Sequence, residues 1–262
     1  MSQEDVLTKQ VDDDGLCTIT LNRPGAMNSL DGELVGQLWH TFYELRHDDE
    51  VRVVILTGAG DRAFCAGADL KERQSMSEAE VAKRIDDYRG CFGAIDQLPK
   101  PVICAINGYA FGGGLELALA CDLRVVDETT KLGLTETRLG IIPGAGGTQR
   151  LPRLIGASKA KELIFTAARI TGKEALEWDI ANYAVPADEL MDKARELGKR
   201  MLGSAPIALQ QAKIAIDTGM QADLATGLQI ESRAYAVTLP TEDRQEGLAA
   251  FREKRTPNFK GK

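Results

Sequence analysis

Histidine is scarce in this chain: His40 and His47 are the only two among 262 residues. Two isolated histidines do not make a zinc site, and they leave little from which to build a Ser-His-Asp hydrolase. Cysteine is sparse too, with five residues and no Cys-x-x-Cys pair. An odd and unclustered set predicts free thiols in a reducing compartment and argues against a disulfide framework.

The sequence also lacks an excess of positive charge and a long uninterrupted apolar run. With 32 basic and 39 acidic residues the formal net charge is −7, which argues against general affinity for nucleic acid. The most apolar stretch, residues 101–120, is interrupted by Asn107 and Glu116, so it predicts buried core and not a membrane span. The first fifteen residues are acidic and polar and show no targeting signal, so we expect a cytoplasmic protein.

Short strands alternate with helices along the first part of the chain, which is long enough for one large domain. The predicted strands cover residues 16–21, 51–57, 101–106 and 123–126, and the predicted helices cover residues 32–46, 77–97 and 114–120. The apolar runs of the strands are continuous, which is typical of strands covered on both faces. Strand, turn, strand and helix recur from Val51 and again from Pro101, so the sequence predicts an α/β core of stacked ββα units.

Helical patterns dominate after residue 158. The predicted helices in this part cover residues 159–168, 172–178, 187–202, 206–216 and 221–237. The segment Gly203-Ser-Ala-Pro206 is the clearest break between them. We therefore predict a core of residues 1–202 and a helical C-terminal region of residues 203–262.

Three consecutive glycines, Gly112–Gly114, follow a predicted strand and open a predicted helix. Glycines let the backbone approach a ligand closely, and the free N–H groups at a helix start stabilise a developing negative charge. A nucleotide-binding loop is the alternative, but the Gly-x-Gly-x-x-Gly and Gly-x-x-x-x-Gly-Lys-[Ser/Thr] patterns do not occur here. The segment therefore favours a site for developing negative charge.

Glu116 lies inside the apolar helix that these glycines open, among leucines and alanines. An ionised carboxylate in such surroundings is costly unless it has a partner. Two interpretations stay open: an ion pair with a neighbouring basic residue such as Arg124, and a catalytic carboxylate.

Glu136 stands among apolar and small residues, ahead of a turn at Pro143-Gly-Ala-Gly-Gly147. On its own this pattern favours a solvated pair with Arg138, because charged side chains are mostly exposed. A third segment, Ala63–Arg73, holds a glycine-containing turn after a strand and could present another backbone N–H. Alone, that segment fits an ordinary strand-to-helix turn equally well.

Taken together, these three segments resemble the enoyl-CoA hydratase/isomerase (crotonase) family. The resemblance runs from Asn22 to Arg255 and rests on the combination of Ala63–Lys71, Gly112–Ala118 and Pro143–Leu151. It implies a crotonase-like spiral of ββα units with a helical C-terminal region. It also implies assembly as a homotrimer or as a dimer of trimers.

The resemblance implies an acyl-CoA thioester substrate, with no metal and no separate cofactor because coenzyme A is part of the substrate. The backbone N–H groups of Ala68 and Gly113 would form an oxyanion hole, with Glu116 as general base and Glu136 as general acid. The implied contacts to coenzyme A or substrate are Ala66, Ala68, Asp69, Leu70, Lys71 and Gly113, with Tyr235 and Lys254 reaching the coenzyme A of a neighbouring subunit.

The presence of both glutamates implies hydration of a 2-enoyl-CoA to a 3-hydroxyacyl-CoA, with isomerisation as a side activity. Leu134-Thr135 stands where family members usually have Gln-Pro, and Lys71–Arg73 is similar to the 3-methylglutaconyl-CoA hydratases of leucine degradation. That substrate carries a second carboxylate, for which Arg73, Arg84 and Arg89 are the candidate partners.

A relative of that subgroup also binds RNA through a lysine-rich helix. The comparable stretch here, residues 71–89, mixes basic and acidic side chains, a pattern typical of a solvated face. We therefore expect neither a nucleic-acid partner nor a membrane partner.

Overall fold

The computed structural model describes residues 5–262, which form ten strands and eleven α-helices. The strands are β1 (Leu7–Val11), β2 (Leu16–Leu21), β3 (Val53–Gly58), β4 (Ala63–Cys65), β5 (Val102–Ile106), β6 (Tyr109–Phe111), β7 (Leu123–Asp127), β8 (Lys131–Gly133), β9 (Ile170–Thr171) and β10 (Tyr183–Val185). The α-helices are α1 (Gly32–Leu45), α2 (Leu70–Arg73), α3 (Glu78–Asp96), α4 (Gly113–Leu119), α5 (Gly147–Ile155), α6 (Ala157–Thr166), α7 (Gly172–Glu177), α8 (Leu190–Leu202), α9 (Pro206–Gly219), α10 (Leu224–Thr238) and α11 (Glu242–Glu253).

The strands form two sheets, and the chain passes from one sheet to the other within each ββα unit. The larger sheet has the order β1-β2-β3-β5-β7-β10, with β1 antiparallel to β2 and the other pairs parallel. The smaller sheet has the order β4-β6-β8-β9, with β8 antiparallel to β9. Each of β3, β5 and β7 is followed by a short strand of the smaller sheet and then by helical structure. The predicted α/β fold of stacked ββα units is therefore confirmed.

Strand β3 shows why the apolar runs of the sequence are continuous. Val54 and Leu56 belong to a core cluster shared with α1, α3 and α4. Val53 and Ile55 belong to a second cluster, which α8 covers. Because side chains alternate across a strand, burial on both faces demands an apolar residue at every position. The prediction of strands covered on both faces is confirmed.

Six strands (β1, β4, β6, β8, β9 and β10) and three helices (α2, α5 and α11) lie outside the predicted ranges, although the predicted ββα repeat implies second strands at β4 and β6. The strands β8, β9 and β10 have only two or three residues, too few to show a period, and β1 is largely exposed. Helix α11 buries only Asp243 and Ala250, so no apolar stripe marks it in the sequence. The helix predicted over 187–202 begins at Leu190, because Ala187–Glu189 form a 3₁₀-helix.

The helices after β10 contact the core to different extents. Helix α8 packs on the larger sheet, whereas α9 and α10 pack mainly against each other. Lys213 ties α9 to the core, because its Nζ donates to Asp122 Oδ2 at 2.9 Å. The break predicted at Gly203–Pro206 falls between α8 and α9, and the division into two regions stays a prediction.

None of the helices within residues 5–262 is long and apolar enough to cross a bilayer. The cytoplasmic location expected from the sequence stays a prediction.

Replacing Phe42 by alanine tests the packing of α1 on the core. Phe42 is 1% exposed, whereas its neighbour Tyr43 on the same helix is 61% exposed. We expect Phe42→Ala to lower the free energy of unfolding by about 3–5 kcal/mol through lost burial and the cavity left behind. Tyr43→Ala, the matched control, should change it by about 0.5 kcal/mol or less in urea denaturation. Equal effects of the two substitutions would contradict the described core.

Candidate active site

Helix α4 carries Glu116 and begins where the chain leaves the smaller sheet. Gly112 has φ of +51°, a conformation that glycine adopts readily. A methyl group placed on Gly114 would collide with the carbonyl oxygen of Cys65. The glycine run predicted to open a helix is therefore confirmed, and it lets the first turn of α4 pack directly against β4.

Glu116 is 3% exposed, and its Oε1 accepts two hydrogen bonds from backbone amides. Ala145 N and Gly147 N each donate to that oxygen at 2.8 Å. Burial raises the pKa of Glu116 above its usual value, while the two amides act in the opposite direction. The Glu116 Oε2 atom accepts no hydrogen bond from residues 5–262 and keeps some accessibility to solvent.

The alternative of an ion pair between Glu116 and Arg124 is wrong. Arg124 donates instead to the carbonyl oxygens of Ile180 at 2.6 Å and Cys121 at 2.7 Å. The Arg124 guanidinium therefore donates to backbone carbonyl oxygens. The hydrogen-bond donors to Glu116 come instead from the turn Pro143–Gly147.

Glu136 begins a 3₁₀-helix at Glu136–Leu139 and is 9% exposed. Both of its carboxylate oxygens are buried without a hydrogen-bond partner among residues 5–262. Burial raises the pKa of Glu136 to about 7, and the nearby charge of Glu116 acts in the same direction. The interpretation of a solvated pair with Arg138 is wrong, since Arg138 Nη2 lies 3.4 Å from the Thr166 carbonyl oxygen.

The two glutamates flank the start of α4. A methyl group placed on Gly112 would lie 3.2 Å from Glu136 Oε1, and one placed on Gly147 would lie 3.0 Å from Glu116 Oε1. One carboxylate is thus held by two amides, and the other is buried without a donor from residues 5–262. Two neighbouring carboxyl groups in such different surroundings favour different protonation states.

The backbone N–H groups of Ala68 and Gly113 lie beside each other near these carboxylates. A methyl group on Gly67 would lie 3.3 Å from Gly113 N, and one on Gly113 would lie 3.7 Å from Ala68 N. Gly67 has φ of +93°, and a side chain there would come within 2.6 Å of the Phe111 carbonyl oxygen. Within residues 5–262, neither the Ala68 nor the Gly113 amide donates a hydrogen bond. Two adjacent free amides can bind one anionic oxygen.

The segment after Ala68 presents a mixture of structural and exposed side chains. Asp69 caps α2 through the amides of Lys71 and Glu72 and also accepts from Arg23. Burial opposes ionisation of Asp69, but these hydrogen bonds prevail and lower its pKa. Leu70 and Lys71 are exposed beside it, and the Ala66 amide donates to the Met27 carbonyl oxygen. The contacts of this segment with coenzyme A stay a prediction.

Tyr235 and Lys254 lie on the C-terminal helices. Tyr235 is exposed on α10, and Lys254, with φ of +56°, ends α11. No hydrogen bond or ion pair of the described chain joins either side chain to residues 66–71. Their implied role needs a second copy of the chain and stays a prediction.

The three arginines proposed for a substrate carboxylate have different partners. Arg84 donates to both oxygens of Glu72, at 2.6 and 3.1 Å, so its charge is already paired. Arg89 Nε donates to the Gly144 carbonyl oxygen at 2.9 Å. The Arg73 guanidinium makes no hydrogen bond or ion pair with any residue in 5–262. Arg73 is half-buried in a small cleft lined by Asp69, Glu72, Arg73, Met76, Val81, Arg84 and Tyr88.

Sequence reasoning missed the amides of Ala145 and Gly147 and the side chain of Arg150. Arg150 Nη1 donates to the Ala145 carbonyl oxygen at 3.2 Å. The turn Pro143–Gly147 was recognised as a turn, and its glycines were the available signal. The partner of a backbone amide depends on tertiary position, so the sequence did not connect this turn to Glu116.

Glu136→Gln should raise stability at high pH. The pKa of Glu136 is raised in the folded state, so the contribution of Glu136 to wild-type stability is greatest at acidic pH and falls as pH rises from about 4.5 through about 7. Glutamine removes the buried charge, so its advantage should stay below about 1 kcal/mol at pH 5 and reach about 3 kcal/mol at pH 8.5. Melting temperatures of both proteins at these two pH values measure the difference. An equal difference at both values would contradict an unpartnered buried carboxylate.

Comparison with known proteins supplies the family. The enoyl-CoA hydratase/isomerase family model matches residues 12–262. The chain is 50% identical to human "Enoyl-CoA hydratase domain-containing protein 2, mitochondrial" over 254 residues, which cover 95% of this chain and 87% of that protein. It is 48% identical to human "Methylglutaconyl-CoA hydratase, mitochondrial" over 251 residues, which cover 94% of this chain and 74% of that protein.

A solved structure agrees with the same assignment. The crystal structure of an enoyl-CoA hydratase from Bacillus anthracis superposes with a TM-score of 0.97 at 50% sequence identity. The match covers 98% of this chain and 100% of that one. Because the family model spans residues 12–262 and both relatives and a solved structure match nearly the whole chain at about half identity, the chain belongs to the enoyl-CoA hydratase/isomerase family.

Proposed function

We propose that the protein is an enoyl-CoA hydratase, which adds water across the double bond of a 2-enoyl-CoA to give a 3-hydroxyacyl-CoA. One observation carries the proposal: two buried glutamates flank a pair of adjacent backbone amides that donate no hydrogen bond within residues 5–262. Glu116 accepts two hydrogen bonds, whereas Glu136 accepts none from these residues. Hydration of a thioester-activated double bond needs a base for water, an acid for carbon and donors for the thioester oxygen.

In this proposal the thioester oxygen accepts hydrogen bonds from the Ala68 and Gly113 amides. Attack of water at C3 moves negative charge onto that oxygen as an enolate forms. Donors fixed in advance stabilise this charge without reorganising, by about 3–4 kcal/mol for each donor. Gly113 is the first residue of α4, so the helix dipole adds to the effect.

Glu116 serves as the general base in the mechanism we propose. The amides of Ala145 and Gly147 occupy Oε1 and fix the carboxylate plane, while Oε2 has no protein donor within residues 5–262. That oxygen accepts the proton of the attacking water as the new C3–O bond forms. The same amides favour the ionised form of Glu116, but burial outweighs them and its pKa stays above the usual value.

Glu136 serves as the general acid. With a pKa raised to about 7 by burial, a large fraction of its carboxyl is protonated at neutral pH. It donates that proton to C2 as the enolate collapses to the 3-hydroxyacyl thioester. Each turnover leaves Glu116 protonated and Glu136 ionised, so the pair titrates as a coupled unit and is reset by proton exchange with solvent.

Binding of coenzyme A would use exposed residues of two subunits. We assign Ala66 and Asp69–Lys71 to one subunit and Tyr235 and Lys254 to its neighbour, in a trimer or a dimer of trimers. Helix α10 exposes large apolar side chains that a second copy would cover, namely Leu224, Leu228, Tyr235 and Val237. The proposal needs no metal, and coenzyme A enters as part of the substrate.

Glutamine substitutions test the two assigned roles. We expect Glu116→Gln and Glu136→Gln each to lower kcat for crotonyl-CoA by about 10²–10⁴-fold, because each removes one proton-transfer group. Glu177→Gln, at an exposed position on α7, is the matched control and should leave kcat unchanged. Loss of the conjugated thioester absorbance gives the rate. Full activity of Glu116→Gln would contradict hydration by this pair.

A second candidate substrate is 3-methylglutaconyl-CoA, whose acyl chain ends in a carboxylate. The observation in its favour is half-buried Arg73, which lines a cleft together with Asp69 and whose guanidinium has no partner among residues 5–262. An unpaired guanidinium suits a carboxylate, which it can bind with two hydrogen bonds. Binding of RNA by this part of the chain is not favoured, because Lys83 and Arg84 are paired with Asp87 and Glu72.

Arg73→Met distinguishes the two substrates. If Arg73 binds the terminal carboxylate, kcat/KM for 3-methylglutaconyl-CoA should fall about 10–100-fold, the value of one charge-assisted contact. The value for crotonyl-CoA should stay within about twofold, since its methyl terminus offers no such contact. Lys83→Met removes one exposed positive charge from α3 and serves as the control. An equal change for both substrates would remove Arg73 from the acyl site.

A further inference from the structure

Two arginines hold the turn that binds Glu116. Arg89 Nε donates to the Gly144 carbonyl oxygen at 2.9 Å, and Arg150 Nη1 donates to the Ala145 carbonyl oxygen at 3.2 Å. The Gly144 carbonyl and the Ala145 amide belong to one peptide group. A continuous path therefore runs from the Arg89 guanidinium, through that peptide, to Glu116 Oε1. Hydrogen bonds in such a chain polarise and strengthen one another.

Arg150 is built into the turn more deeply than Arg89. A methyl group placed on Gly146, where φ is +115°, would collide with Arg150 Nη1. The backbone amide of Arg150 also donates to the Gly146 carbonyl oxygen at 2.8 Å, within the first turn of α5. The side chain is 24% exposed, and its Nη2 lies 3.2 Å from Asp96 Oδ2 at the end of α3. Arg150 therefore fixes the turn against two helices at once.

We propose that Arg150, supported by Arg89, is a positioning residue for Glu116: the two guanidinium groups hold the 144–147 turn so that the Ala145 and Gly147 amides point at Glu116 Oε1. The inference rests on the proposed hydration and deepens it. Neither arginine contacts the Glu116 carboxylate through a hydrogen bond in the described chain. Both act through the backbone of the turn.

The charges around Glu116 give the direction of the expected effect. Arg150 of α5 and Arg89 of α3 favour its ionised form, whereas Glu136 of the adjoining 3₁₀-helix disfavours it. Removing Arg150 withdraws one favourable charge and loosens both amide donors. The pKa of Glu116 then rises. The carboxylate therefore becomes protonated, and ceases to act as a base, at a higher pH than in the wild type.

Arg150→Gln in the full-length enzyme is the first test. We expect kcat for crotonyl-CoA to fall about tenfold with KM within about twofold, because a misaimed base slows chemistry without removing a substrate contact. The acidic limb of kcat/KM should move to higher pH by about half a unit to one unit. Arg153→Gln is the matched control, since Arg153 lies on the same helix and donates only to Gln149. Values for Arg150→Gln equal to those of Arg153→Gln would overturn the proposal.

Arg150→Lys separates positioning from charge. Lysine keeps the positive charge but cannot bind the Ala145 carbonyl and Asp96 together in the planar geometry of a guanidinium. We expect the acidic limb to return close to that of the wild type while kcat stays several-fold low. Full recovery of kcat would mean that charge alone matters and would overturn the positioning role. Arg89→Gln, at a more exposed site, should give a smaller change in the same direction, and an unchanged acidic limb there would remove Arg89 from the proposal.

A titration that does not depend on turnover keeps this proposal apart from the proposed function. Infrared difference spectra against Glu116→Gln report the protonation of the Glu116 carboxyl in wild type and in Arg150→Gln. The expected result is a higher midpoint in Arg150→Gln whether or not the protein hydrates a given substrate. Absence of hydration in wild type would defeat the proposed function alone, whereas equal midpoints would defeat the role of Arg150.

Discussion

The site depends on the burial of two carboxylates, Glu116 and Glu136, around the first turn of the short helix α4. Burial raises the pKa of both, yet only Glu116 receives compensating hydrogen bonds, from the amides of Ala145 and Gly147. Glu136 receives none from the described chain. The difference favours the ionised form of Glu116 relative to that of Glu136, whose pKa is raised by burial to about 7. Such a difference is what an acid–base pair needs.

The fold supplies the rigidity that this arrangement needs. Helix α4 can lie against β4 only because Gly114 has no side chain to meet the Cys65 carbonyl oxygen. The same close approach brings Gly113 N beside Ala68 N, where Gly67 takes a conformation that favours glycine. The turns emerge from β4 and β6 of the smaller sheet, and Cys65 and Ala110 of these strands share a core cluster with the larger sheet. An unpartnered buried carboxyl persists only where its surroundings cannot relax around it.

Much of the fold could be predicted from the sequence because its causes are local. Continuous apolar runs marked β2, β3, β5 and β7 of the larger sheet, and the glycines before Glu116 marked the start of α4. The partners of Glu116 and Glu136 could not be predicted in that way. Arg124 and Arg138 are near in sequence, but their guanidinium groups donate to the carbonyl oxygens of Ile180 and Thr166. Tertiary packing decides which polar groups become hydrogen-bond partners. The sequence motifs indicated a joint role for the two glutamates only through their resemblance to a family.

Strands β8 to β10 and helix α11 were missed because none of them carries a periodic apolar pattern. Strands β8 to β10 are too short to bury an alternating pattern, and α11 is anchored by polar contacts instead of an apolar stripe. There Asp243 accepts from the amides of Lys260 and Gly261, and Glu246 pairs with Arg255. Periodicity detects hydrophobic faces, so a segment fixed by hydrogen bonds to a distant part of the chain leaves no periodic signal.

The most direct test of this account is the titration of the Glu136 carboxyl in the resting protein. The protonated carboxyl band, isolated by infrared difference against Glu136→Gln, is followed from pH 4 to pH 9. The account predicts that the band persists through pH 5 and disappears with a midpoint near pH 7, the value set by burial without a partner. A midpoint near 4.5, the ordinary value for glutamate, would show that Glu136 is solvated or partnered and would contradict its role as the acid.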